Sequence, residues 1–167
     1  MNDLTEALLR DVASRLQKAI QARDCPAMVA LHGRRTLFLS DYDYLRDEAA
    51  AVAFENRVAE TARQINTTHW VMVVPQVWLV TGGTVAARAV SNHPLREGEQ
   101  EVITLMTFDV DDGVDYGFVP YTRRPNGAPV FDEPKLFTDP IRPRPEMPGF
   151  TLLTRLMHDD GPETSLG

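Results

Sequence analysis

The apolar residues of this chain change their rhythm between Ile65 and Trp70, and that change restricts it to a fold with helices first and strands after. Up to Ile65 they recur every three to four residues, the period of a helix that buries one face; from Trp70 to Tyr121 they recur every two, the period of a strand. Leu4, Leu8, Val12, Leu16 and Ile20 stand at four-residue steps and predict a first helix, with Asp3 and Glu6 at its start and Asp24, Cys25 and Pro26 ending it. Residues 27–31 and 36–39 flank His32, Gly33, Arg34 and Arg35 as a short hairpin. A second helix is predicted over about 45–65, a stretch free of proline and glycine and rich in alanine, glutamate and arginine.

The strand region opens with residues 70–80, nearly all apolar and β-branched or aromatic, the composition of a strand buried on both faces. Pro75 interrupts it and, lacking an N–H, calls for a bulge or an edge. Gly82 and Gly83 turn the chain into residues 84–90; residues 101–110 and 114–121 make a further pair across Asp111, Asp112 and Gly113; Val130 and Phe131 add a short strand. The predicted class is α+β: a two-layer sandwich with N-terminal helices packed on a mostly antiparallel curved sheet, in the order α-β-β-α-β-β-β-β. Residues 1–133 form the single domain. From Pro134 to Pro148 prolines recur too often for a helix or a central strand, so residues 134–158 read as a Pro-rich wrapping arm that ends in a short docking segment at Phe150, Leu152, Leu153, Leu156 and Met157. Residues 159–167 read as a disordered tail.

Composition narrows the function classes. A net charge of -7 disfavours nucleic acid and anionic membrane as partners, because both need an excess of Lys and Arg. Cys25 is the only cysteine, which leaves neither an intrachain disulfide nor a multi-cysteine zinc site and points to a reducing, cytoplasmic compartment. Asn2, Asp3 and Glu6 stand where a secretory signal carries basic residues, and no stretch has the length of a membrane span. Lys18 and Lys135 are the only lysines, a bias that suits a high-GC bacterial coding pattern.

Glu55 is the oddest placement, for it lands in the middle of the apolar arc formed by Phe54, Val58, Ala51, Ala62, Ala59 and Val52. A carboxylate buried there would have a raised pKa and suit a general acid or base. The plainer alternative turns it to the sheet edge or pairs it with an arginine such as Arg88. His93, in the loop between two strands, is the second candidate catalytic group, and Arg96 in the same loop adds a cation. Tyr121, Arg123 and Arg124 follow Tyr116 and Phe118 as an aromatic and basic mixture able to grip an anionic or planar ligand. No metal site is expected: His32, His69 and His158 share no ligand spacing, and the run Asp109, Asp111, Asp112, Asp115 departs from a calcium loop and reads as a hairpin turn. Arg142, Pro145 and Pro148 have polyproline-ligand spacing and read more simply as part of the arm. Without a glycine-rich phosphate loop or a nucleophile elbow, no cofactor is expected.

Two functions fit. The first is a non-catalytic module binding a partner protein or a small ligand, with a homodimer paired through sheet or helix faces. The second is a small hydrolase or isomerase in which Glu55 acts as acid or base and His93 or Arg123 holds an anionic substrate.

Overall fold

A computed structural model describes residues 1–90, 94–138 and 142–158. The helix α1 spans Asp3–Gln21, β1 Ala27–His32, β2 Thr36–Asp41, and α2 Glu48–Gln64. The strands β3 His69–Thr81, β4 Thr84–Ala89, β5 Glu99–Asp109, β6 Gly113–Arg123, β7 Pro129–Phe131 and β8 Lys135–Leu136 follow, and α3 covers Phe150–His158. The α+β class read from the sequence is that of the molecule, and the order α-β-β-α-β-β-β-β holds through β6, after which β7, β8 and α3 follow.

Local chemistry sets the ends. Asn2, one residue ahead of the expected Asp3, caps α1, because its side-chain oxygen accepts the Thr5 N–H at 3.0 Å while Asp3 and Glu6 stay in the first turn, where the helix dipole favours them. Asp47 does the same for α2 through the Ala50 N–H at 2.7 Å, so that helix starts three residues later than the composition suggested. Tyr44, in the loop before it, is buried in the core.

The eight strands form one curled antiparallel sheet in the order β2-β1-β3-β5-β6-β7, with β4 on β3 and β8 on β6. Along one side of β3, β1 pairs with residues up to Val73 and β4 begins at Gln76. Pro75 lies in the gap between them, and its register against β5 runs on without a bulge. Hydrogen bonding alternates along β3 from the two-residue turn at Gly82 and Gly83, and it aims the odd residues at that same side. The absent proline N–H therefore falls where no strand needs it.

Side chains that alternate along β1, β3 and β5 divide the core in two. Ala30, Val71, Val73, Ile103 and Leu105 pack with Leu9, Val12, Leu16 and Ile20 of α1. Leu31, Trp70, Met72, Val74 and Met106 pack with Phe54, Val58 and Ala62 of α2 and with Leu152 and Leu153 of α3. Helix-on-sheet packing thus occurs on each face, which is why β3 reads as almost continuously apolar up to Val77; the expectation of burial on both faces fails at Leu79 and Val80, 37% and 60% exposed, which run past the helices. Among the described residues, no helix is long and apolar enough to cross a membrane.

Candidate functional site

Glu55 keeps its place on the buried arc of α2 and is only 4% exposed. Tyr44 donates its hydroxyl to Oε2 at 2.6 Å, the Gly149 N–H reaches the same oxygen at 3.2 Å, and the Leu152 N–H reaches Oε1 at 2.9 Å. The carboxylate thus caps the N-terminus of α3, whose first amides have no partner inside their own helix. Arg88 is not its partner; that guanidinium grips Glu99 with two bonds of 2.9 Å. Farther along α3, Arg155 holds Asn56 of α2 at 2.6 Å.

Burial pushes the Glu55 carboxyl above its ordinary value, and the bonds from Tyr44 and the α3 backbone pull back less strongly. Tyr44 is raised too, by burial and then by the charge of Glu55. Because the folded carboxyl holds its proton to higher pH than the unfolded one, whose ordinary value is 4.5, its contribution to stability is complete at acidic pH and declines as pH rises above that value. The stability advantage of the wild type over Glu55→Gln is accordingly expected to shrink as pH rises above 4.5 in urea titrations. A widening advantage would contradict this assignment.

Of the expected ligand residues, Tyr121 and Arg123 meet in a cleft of about 620 Å³ beyond the C-terminal end of α1, beside Ile20, Arg23, Cys25 and Val77. Arg123 forks onto Glu101 at 2.8 and 3.0 Å and donates to the Gly127 carbonyl at 2.9 Å. The Arg88–Glu99 fork stands next to it and, with the Arg96 N–H, holds the Glu99 carboxyl down to about 2. Both guanidiniums are therefore committed to carboxylates and offer an anion little. The Tyr121 hydroxyl is buried with no hydrogen bond of good geometry among the described residues, and burial raises both it and the Cys25 thiol. Arg96 contributes its N–H to Glu99 at 2.7 Å, whereas Arg124 is exposed in the β6–β7 turn, its N–H on the Ala128 carbonyl. His93 lies outside the described residues.

The fold also joins groups that looked scattered. His32 stands opposite His69, His69 opposite Asp109, and the two imidazoles meet edge to face at 5.9 Å. Each Nδ1 is engaged by a threonine, Thr36 at 2.8 Å and Thr68 at 2.7 Å. Asp109 is taken up by the turn that follows it, its Oδ1 accepting the N–H groups of Asp111 and Asp112 at 2.8 and 2.6 Å, so the aspartate run is a hairpin turn. Among the described residues, no three His, Cys, Asp or Glu side chains converge on a metal position. Only the register of β1, β3 and β5 reveals this row, and that register is set by long-range pairing.

A larger feature is the far end of the sheet, where β3, β4 and β6 outrun the helices. Trp78 packs on Phe118 at 4.9 Å and Phe137 packs on Phe118 at 5.6 Å, between ring centroids. Val80 is 60% exposed, Val85 45% and Phe137 39%. Val80 and Val85 stand opposite each other in the β3–β4 hairpin, so their exposed methyls form one apolar strip. The chain matches no protein-family model, no curated protein and no solved structure.

Proposed function

We propose that the protein is a non-catalytic interaction module that binds a partner protein through the β3–β4 end of its sheet. The observation that carries this reading is the exposed pairing of Val80 with Val85 beside Trp78, on a hairpin that no helix among the described residues covers. Apolar side chains gathered at one place on a surface mark contact sites, whereas those scattered singly do not. Engagement of both Glu55 oxygens by Tyr44 and α3 supports a structural role for that carboxylate. The Arg–Glu forks likewise support a cleft wall braced against itself.

A photo-reactive residue at position 80 tests the reading against a control at Val110, which is equally exposed, at 61%, but lies in the β5–β6 turn at the opposite end of the sheet. Cross-linking in cells of the native host is expected to give discrete adducts from position 80 and few from 110. Equal yields at the two positions would rule the reading out.

A further inference from the structure

We infer that the partner is a second copy of this chain, joined edge to edge through β4 so that two sheets run on as one. The inference rests on the interaction reading above and specifies its occupant.

Natural sheets protect their edges with proline, charge, bulges or very short strands. The edges at the other end of the sheet follow that rule: β7 is three residues long and begins with Pro129, and β8 is two residues long and carries Lys135. β2 has the length of β4, but its apolar side chains, Leu37, Phe38 and Leu39, are half-buried, whereas most of β4 is exposed. β4 has none of these devices. Its six residues, Thr84-Val85-Ala86-Ala87-Arg88-Ala89, pair among the described residues with β3 alone. The single charged side chain, Arg88, is held by Glu99 of its own chain.

The turn geometry says which backbone groups are available. Gly82 and Gly83 have φ of +57° and +82°, the two positive values of a type I′ turn, so Thr81 and Thr84 form the hydrogen-bonded pair that closes the hairpin. Alternation from that pair aims the N–H and C=O groups of Val85, Ala87 and Ala89 at the open edge. An antiparallel copy can then pair in a register that sets Ala87 against its own counterpart and Val85 against Ala89. Every outward group of β4 finds a partner in that register, the Ala89 carbonyl through its second lone pair because it already accepts Arg88 Nη1 at 3.3 Å, and small side chains at the centre let the strands approach. Sliding by one further step would put Arg88 directly opposite Arg88, which like-charge repulsion disfavours.

A net charge of -7 on each chain repels a second copy at long range, but β4 itself carries no carboxylate, so pairing there sets no two carboxylates of that strand against each other. What favours an identical partner is the self-complementary register. Pairing would also set the half-exposed Val85 beside Ala89 of the neighbouring strand, adding some apolar burial to the ladder.

Light scattering coupled to size-exclusion chromatography tests the inference on the full chain. The wild type is expected at twice 18.7 kDa, and Ala87→Pro, which removes an outward N–H and leaves the β3 ladder intact, is expected to weaken dimerisation at least tenfold with unchanged circular dichroism. In a Cys25→Ser background, Ala87→Cys is expected to form an intermolecular disulfide under mild oxidation, since paired strands bring facing Cα atoms to about 5.5 Å, while Val110→Cys is not. A wild type that stays at 18.7 kDa, a dimer untouched by a folded Ala87→Pro, or no preference for the Ala87→Cys disulfide would each overturn the inference. Should Ala87→Pro fail to fold, the disulfide experiment decides. Adducts from position 80 at masses other than twice the chain would overturn the second copy and leave the interaction surface standing.

Discussion

Replacing Glu55 with alanine is expected to remove about 3–5 kcal/mol of stability, the usual cost of deleting one side of a buried, charge-assisted network. The substitution leaves the Tyr44 hydroxyl and the Gly149 and Leu152 N–H groups facing a dry gap, and each loses a bond that water cannot replace. Far-UV circular dichroism and urea unfolding provide the measurement. Loss of helical signal is expected to exceed what one residue explains, because α3 is only nine residues long and helices so short depend on caps and tertiary contacts. Tyr44→Phe, which removes one donor and keeps the ring edge-on to Phe54, is expected to cost about 1 kcal/mol. If Glu55→Ala proved no worse than Tyr44→Phe, the carboxylate would not be what fastens α3 to α2.

The odd position of Glu55 was visible in the sequence; its purpose was not. Helical rhythm is local, so Phe54, Val58 and Ala62 disclose the arc on which Glu55 falls. Its partners are Tyr44, eleven residues earlier, and Leu152, ninety-seven later, and no periodicity links positions so far apart. A similar limit governs the helices. Leu8, Val12 and Leu16 announce a buried face, but which side of the sheet they meet depends on Val71 and Val73 pointing one way while Trp70 and Met72 point the other. The unbroken apolar run of β3 conceals that division, since both faces are buried from Trp70 to Pro75. Pairing order is equally hidden: the glycines at 82 and 83 show that β4 folds back on β3, whereas its open far side follows from β5 occupying the opposite edge. Tyr121 and Arg123 were recognised as an aromatic and basic pair, yet Glu101, which binds Arg123 from the facing strand, came into view only with the register.

Gly33→Ala is expected to cost about 2–3 kcal/mol, the range for forcing a methyl into a packed site that cannot yield. A Cβ on Gly33 would stand 2.2 Å from the Ile65 carbonyl oxygen and 2.6 Å from that of Asn66, and both are backbone atoms fixed by the end of α2. The contact is close because it is bonded. Ile65 is the C-cap of α2, and its carbonyl accepts the Arg34 N–H at 2.7 Å; the His32 carbonyl accepts the Thr68 N–H at 2.9 Å. The β1–β2 turn therefore satisfies groups that the helix end leaves open, and a methyl at Gly33 would push the turn away from both bonds. Gly82→Ala supplies the contrast, since nothing lies within 4 Å of its Cβ position and φ is +57°, so that change carries backbone strain alone, about 1 kcal/mol. Urea midpoints for the two variants decide the matter. If Gly33→Ala unfolded no earlier than Gly82→Ala, the close approach of the β1–β2 turn to α2 would not be what joins the first hairpin to the second helix.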